Sequence, residues 1–347
     1  MPGQHCYNSC VPLPFESNIH EFVVSIEENG TRLDRVVAAH FPELSRTRVQ
    51  ELTEAELVLL NGQATKDSHK VRAGDTVRVS PQERPALKAE AEAIPLDILY
   101  EDADVIAVNK PAGMSVHAGA GTFHGTLVNA LLGRGQSLAQ TDDPLRPGIV
   151  HRLDKETSGI VLVAKNDFAH AKLSEAFRQR AVRKTYVALV QGKTEEERGR
   201  IELAIARDPK RRTRMSAKRA DLLPNARAAR TDWKVLARID GTTLLEIQLH
   251  TGRTHQIRVH LSALRHPVVG DTLYGAAGQL HVGRSTLPSL GRNFLHAARI
   301  GFAQPRSGTT IQLSAPLPQE LREYLRKLEA AAEDSGDRID AALKGFL

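Results

Sequence analysis

Asp154 is the residue of this chain best placed to do chemistry. It lies in His151-Arg152-Leu153-Asp154-Lys155-Glu156-Thr157-Ser158-Gly159, a carboxylate between two cations, and the stretch then turns into the apolar run Ile160–Val163. Loops held by a rigid scaffold are where catalytic groups tend to sit, although a salt-bridged surface loop has the same composition. Three further segments crowd chemically able side chains. Lys110–His117 carries a proline and a glycine that shape a turn, Tyr186 is flanked by Arg183 and Lys184 on a predicted strand, and His250–Arg258 gathers His250, Arg253 and His255 between two predicted strands. No phosphate-cradling glycine loop, dinucleotide fingerprint or nucleophile elbow occurs. The histidines at 250, 255 and 260 are five apart, which matches no usual zinc spacing. The pattern points to unaided acid–base or covalent chemistry, with no metal and no cofactor.

The elements that must carry these residues fall into two groups. Residues 1–24 are polar and read as a disordered N-terminal segment. A small module follows over 25–80. Thr31, with Asp34 three residues on, predicts a capped helix burying Leu33, Val36 and Val37, and Ser45 predicts a second helix through Arg46, Arg48 and Leu52. Leu57–Leu60 ahead of Asn61-Gly62 is a hairpin signal, and Gly74-Asp75 turns into the strand Thr76–Val79. The Ala/Glu/Pro-rich stretch 81–95 lacks apolar periodicity and reads as a linker. Beyond it strands come in runs with few crossover helices: Leu96–Tyr100, Val105–Val108, Lys184–Val190, Leu244–Leu249 and Ile257–Leu261. Asp167 starts a helix expected to bury Phe168, Leu173 and Phe177, and Pro318 opens another with Leu321, Tyr324, Leu325 and Leu328 inward. The expected class is α+β, a mixed, largely antiparallel sheet flanked by helices over 96–330, with a charged tail at 331–347.

Charge placement says more than total charge. Between Arg207 and Arg230 there are nine basic and two acidic residues, a net of +7 in a chain whose whole charge is +6. Such a segment is the footprint of a polyanion partner, bound through counterion release. No apolar run approaches membrane-spanning length, and the N-terminus lacks the basic start and apolar core of a signal peptide. Two cysteines, Cys6 and Cys10, make no disulfide framework. The expectation is a cytoplasmic, non-membrane protein.

Taken in order, these segments resemble the RNA pseudouridine synthases of the RluA/RluD family. His151–Gly159 is similar to that family's catalytic loop and Lys110–His117 to its upstream proline-glycine segment. Lys184-Thr185-Tyr186, His250–His260 and Leu295-His296-Ala297 match in order and approximate separation. Residues 31–79 resemble the small alpha-L RNA-binding module that often precedes these enzymes. The resemblance spans about residues 25–325, and five ordered segments are far more specific than one. It implies a monomeric enzyme acting on RNA, with ribosomal RNA of the large subunit as the first expectation and transfer RNA as the alternative. It also implies the pseudouridine synthase fold.

By the same resemblance Asp154 is the essential aspartate, nucleophile or base. Tyr186 packs on the target base and takes part in proton removal, and Arg253 pairs with the aspartate. Arg152 fills the gap left by the extruded uridine. Exchanging a glycosidic bond within one nucleotide needs no redox agent, metal or ATP, only a held base and excluded water. Extruding a uridine costs a few kcal/mol, offset by stacking and backbone contacts. His151, Arg207, Lys210, Arg211, Arg212 and Arg214, with Arg46 and Arg48 of the small module, are the expected RNA contacts. A non-catalytic RNA-binding factor is the rival, disfavoured because a binder has no need of a carboxylate set against an arginine. One departure stands out. Where the family's small module has a glycine after its second helix, this chain reads Thr53-Glu54-Ala55-Glu56, which lacks the residue that best tolerates positive φ and adds negative charge.

Overall fold

In the computed structural model, residues 19–346 are described apart from 42, 43, 45, 81–88, 120, 121, 142, 224 and 333–337. Cys6, Cys10, Ser45 and most of the expected linker therefore lie outside the described residues. The chain divides into two units, Met1–Ala86 and Leu87–Leu347.

The smaller unit starts earlier than the sequence suggests. Residues His20–Val23 form strand β1, inside the segment expected to be disordered, and pair antiparallel with β4 (Thr76–Val79). Helices α1 (Leu33–His40) and α2 (Arg46–Glu54), then β2 (Val58–Leu60) and β3 (Gln63–Ala64), complete it, with sheet order β1-β4-β2-β3. Leu33, Val37, Val49, Leu52, Val58 and Val77 form its core, the apolar face of each helix meeting one face of the sheet. Arg32 rather than Thr31 occupies the N-cap of α1, and the Arg32 Nε donates to Asp34 at 3.0 Å, so no capping box forms. The end of α2 answers the missing glycine. Glu56 itself takes φ +58°, its N–H donating to the Thr53 carbonyl at 3.1 Å and the Leu57 N–H to that of Leu52 at 2.8 Å. This is the Schellman arrangement, with a non-glycine residue in the left-handed position.

The larger unit is built on one nine-stranded sheet. In chain order its elements are β5 (Asp97–Glu101), β6 (Val105–Lys110), α3 (Leu127–Gly133), β7 (Ser158–Ala164), α4 (Asp167–Arg178), β8 (Arg183–Gln191), β9 (Arg198–Ile201), a hairpin of β10 (Ala204–Arg207) and β11 (Met215–Lys218), β12 (Thr231–Ile239), β13 (Thr242–Leu249), α5 (Gln256–Ala263), a hairpin of β14 (Leu280–Val282) and β15 (Ser285–Leu287), β16 (Leu295–Ala303), β17 (Thr310–Ser314), α6 (Gln319–Ala331) and α7 (Arg338–Leu343). The sheet runs β5-β6-β7-β16-β8-β13-β12-β9, with β17 also on β16. Every pairing is antiparallel except β7 with β16. β7 is buried along its whole length, as its unbroken apolar run requires of a strand covered on both faces.

Four expectations change here. Residues 256–263 are helix, not the strand expected over Ile257–Leu261. Residues 90–94 are not free linker: Asn129 Nδ2 donates to the Glu90 carbonyl at 2.7 Å, the Glu92 N–H donates to the Asn129 carbonyl at 2.9 Å, and Ile94 packs on the core. The supposed tail contains α7, whose Ile339 and Leu343 are buried with Phe346 in the main core, while the Leu317 N–H donates to the Phe346 carbonyl at 3.0 Å. Phe168 faces outward, with the guanidinium of Arg306 5.2 Å from its ring. Charged residues interleave the apolar ones in 331–347, which hides a single buried turn from a composition argument. Among the described residues no helix is long and apolar enough to cross a membrane.

Candidate active site

Asp154 sits in the turn ahead of β7, where the Thr157 N–H donates to its carbonyl at 3.1 Å. The loop is clamped from below by the Lys110 turn. Lys110 is fully buried, and its ammonium donates to the carbonyls of Pro111 (2.7 Å), Met114 (2.8 Å) and Lys155 (3.2 Å). Gly113, at φ +83°, donates its N–H to the same Lys155 carbonyl at 2.9 Å. Lys155 thus serves through its backbone. At the far end of the loop Gly159 has φ +115°, and a Cβ there would come within 2.3 Å of the Ala297 carbonyl oxygen. That close approach seats β16 beside the loop, where Ser158 Oγ meets both His296 Nδ1 (2.9 Å) and Arg292 Nη2 (3.0 Å).

The carboxylate's ion pair comes from Arg258. Its Nη1 donates to Asp154 Oδ2 at 3.1 Å, while its Nε and Nη2 grip the two oxygens of Asp271 at 2.6 and 2.8 Å. The Asp271 side chain is 2% exposed and that of Asp154 18%, so Asp271 is a fixed anchor and Asp154 keeps an open side. Burial works against the Arg258 charge, but the hydrogen bonds and charge of Asp271, and then of Asp154, outweigh it and raise its pKa. The Tyr274 ring lies 5.1 Å from the same guanidinium, a distance at which cation–π attraction acts.

Arg253, assigned this pairing from the sequence, does not make it. Its Nε donates to the Ala228 carbonyl at 3.4 Å, although it lines the same pocket. The reason is the helix. A strand would alternate the side chains after Arg253 across two faces, whereas the first turn of α5 carries Arg258 to Asp154. Gln256 sets the start of that turn. Its Oε1 accepts from Thr251 Oγ1 (2.7 Å) and the Arg253 N–H (3.0 Å), and its Nε2 donates to the Arg230 carbonyl and Thr231 Oγ1, both at 3.0 Å.

Tyr186 lies on β8, level with Ile247 of β13 and Ala297 of β16. It is buried in the wall of a pocket that also includes Arg152, Leu153, Asp154, Thr157, Leu249, Arg253, His255, Arg258 and Leu295. Burial, and then the Asp154 charge facing it, push the phenol's pKa up. At neutral pH the ring is therefore an uncharged stacking face, and the proton-removal part of its expected role meets opposing electrostatics.

The expected RNA contacts separate. Arg152 is exposed at the pocket rim, and Arg207, Lys210, Arg211 and Arg212 are exposed on and around the β10–β11 hairpin. Arg214 is partly buried, its guanidinium 5.2 Å from the Tyr274 ring. The hairpin is tied down there, the Met215 N–H donating to Tyr274 Oη at 2.8 Å and Tyr274 Oη meeting His255 Nδ1 at 2.9 Å. His151 is not an outward contact. Its Nε2 accepts from the Leu162 N–H at 2.8 Å, its ring stacks on Phe177, and burial, then Lys184, push its pKa down to about 3. The side chains of Arg46 and Arg48 lie outside the described residues.

Sequence reasoning missed Arg258, Asp271 and Tyr274. Asp271 follows Gly270 in a turn thirteen residues beyond Arg258, and no local pattern links the two. Among the described residues no three His, Cys, Asp or Glu side chains gather as metal ligands. His250, His255 and His260 instead meet Asp232, Tyr274 and Thr231 separately.

Residues 104–263 match the family model described as RNA pseudouridylate synthase, and residues 31–77 match the S4 domain. An RNA pseudouridine synthase of Bacillus subtilis is 41% identical over 308 residues, covering 89% of this chain and 97% of that protein. The ribosomal large subunit pseudouridine synthase D of Nitrosomonas europaea is 38% identical over 326 residues, covering 93% and 92%. Among solved structures, human RNA pseudouridylate synthase domain containing 1 aligns with a TM-score of 0.51 at 28% identity, over 69% of this chain and 97% of that one.

Proposed function

Because the chain belongs to the RNA pseudouridine synthase family, with an S4 module ahead of the synthase domain, we propose that it isomerises specific uridines in structured large-subunit ribosomal RNA, using Asp154 and no cofactor. The relatives named as ribosomal large subunit pseudouridine synthase D support the choice of RNA. The observation that carries the mechanism is a carboxylate with one oxygen on Arg258 and its open side in a pocket walled by the Tyr186 ring.

In this reading the uridine leaves its helix and its base enters between Tyr186 and the Asp154 loop. Arg152 at the rim takes the vacated stacking position, and the β10–β11 hairpin grips phosphates. Asp154, as nucleophile or base, acts on the nucleotide while the N1–C1′ bond breaks. The uracil turns and C5 bonds to C1′, one proton leaving C5 and one being gained at N1. Arg258 aims the carboxylate through its hydrogen bond to Oδ2, and the apolar walls of Leu153, Leu249 and Leu295 exclude water from the detached base.

The test is to map pseudouridine across cellular RNA with and without this protein, then to assay Asp154→Asn on RNA from cells lacking it. The variant should form no detectable pseudouridine while its RNA affinity stays within about twofold, a change under 0.5 kcal/mol. Appreciable turnover by Asp154→Asn would sink the mechanism, and maps identical in both cells would sink the activity.

A further inference from the structure

Behind the wall formed by Tyr186 and Arg253 lies a second cavity of about 400 Å³. It shares Arg152, Tyr186, Leu249, Gly252 and Arg253 with the Asp154 pocket. Its cations come from three separate segments: Arg152 from the Asp154 loop, then Arg178 at the end of α4, Arg180 after it and Lys184 at the start of β8, and Arg253 from the loop ahead of α5. No aspartate or glutamate lines it. Two of its side chains already have acidic partners outside the cavity, Arg178 with Glu175 and His250 Nε2 with Asp232 Oδ2 at 3.0 Å. Arg180, Lys184 and Arg253 form no ion pair with any described residue.

Lys184 is the informative member. Lys184 is partly buried, with its amine 5.6 Å from the centre of the Phe177 ring. Burial pushes its pKa down to about 8. Arg253 is likewise lowered, first by burial and then by Arg227 and Arg180. A buried cation without a counter-charge is costly, and several at one place repel one another. Packing alone explains one lysine stem against Phe177; it does not explain guanidinium groups from different segments lining the same acid-free cavity as that amine.

We propose that this cavity is a phosphate subsite, in which Lys184, Arg180 and Arg253 hold an RNA backbone phosphate next to the uridine occupying the Asp154 pocket. The shared wall places Arg253 and Tyr186 between base and phosphate. Naming RNA as the source rests on the activity proposed above, whereas the anion chemistry stands on the cavity alone.

Amine acylation of the full-length chain at pH 8, read residue by residue by peptide mass spectrometry, tests it. Inorganic phosphate at ten times its dissociation constant should slow acylation of Lys184 about tenfold relative to chloride at equal ionic strength, by mass action. The exposed Lys193, which does not line the cavity, should be unaffected, and Arg180→Gln should lose the protection. Equal acylation in both salts overturns the subsite. Protection that persists in Arg180→Gln, or extends equally to Lys193, means an adventitious ion only and also overturns it. For the source, a short oligouridylate should protect at lower phosphate concentration than uridine monophosphate, and the reverse order overturns the RNA assignment. None of these readings depends on isomerisation, so RNA maps without pseudouridine would remove the enzyme reading and leave the phosphate result to stand or fall separately.

Discussion

Arg258→Lys separates the two arginines that compete for the role of holding Asp154. The native guanidinium serves two carboxylates at once, Asp271 through two bonds of 2.6 and 2.8 Å and Asp154 through one of 3.1 Å. An ammonium is a single point charge on a flexible stem and cannot span both. It will settle on Asp271, which is nearly without solvent, and leave Asp154 unaimed. A unit charge pair at about 4 Å attracts by roughly 4 kcal/mol at an effective dielectric constant near 20. Losing about 3 kcal/mol of that in the transition state slows the reaction about 150-fold. Arg258→Met is the less useful variant, since an unpaired buried Asp271 costs about 3–5 kcal/mol of stability and confounds the kinetics. Arg253→Gln should instead leave kcat within about fivefold, close to 1 kcal/mol, and act mainly on KM. The assay is single-turnover conversion of uridine to pseudouridine in RNA from cells lacking the protein, with thermal unfolding as the control for folding. An Arg258→Lys enzyme within threefold of the native rate, or an Arg253→Gln enzyme losing as much as Arg258→Lys, would refute the assignment.

Three further outcomes are expected. Replacing Arg211 and Arg212 together with glutamine should weaken RNA binding and lower the slope of log Kd against log salt by about 1.4–1.8, from about 0.7–0.9 per phosphate contact; an unchanged slope removes the hairpin from the interface. Glu56→Gly should relieve the left-handed strain at φ +58°, worth about 1–2 kcal/mol, less about 0.5–1 kcal/mol for the freer unfolded glycine. Amide exchange at Val49 and Leu60 should then slow several-fold, and faster exchange would show that the α2 cap is not strained. Burial pushes His296 down to about 4 and His151 to about 3, so between the ordinary histidine value and pH 4 the unfolded rings bind protons that the native ones do not. Stability should therefore fall as pH drops from about 6.5 to 5, by up to about 1.4 kcal/mol per pH unit for each ring. His296→Gln should remove about half of that slope, and denaturant unfolding that shows no pH dependence in this window contradicts the buried neutral pair.

Local chemistry carried much of this protein on its surface. A carboxylate between cations ahead of a fully apolar strand, a tyrosine on the next buried strand, the Asn61-Gly62 hairpin and a +7 segment are all readable from neighbours in the chain, because turn geometry, period-two burial and charge density are short-range properties. The α5 segment was misread because Gln-Ile-Arg-Val-His-Leu suits a short strand as well as a helix, and only its packing on β11 and β12 decides between them. The same limit hid the strand at His20–Val23, whose partner β4 lies more than fifty residues away, and the buried turn at 338–343.

The sequence by itself determined that Asp154 would be a loop carboxylate and Tyr186 a buried strand aromatic in an α+β chain with a basic arm. Tertiary structure alone decided which cation meets the carboxylate. Arg253 and Arg258 are equally charged and five residues apart. What distinguishes them is that the helical turn begins at Gln256 and that Asp271, from a separate turn, holds the Arg258 fork through Nε and Nη2 in an orientation that turns Nη1 to Asp154.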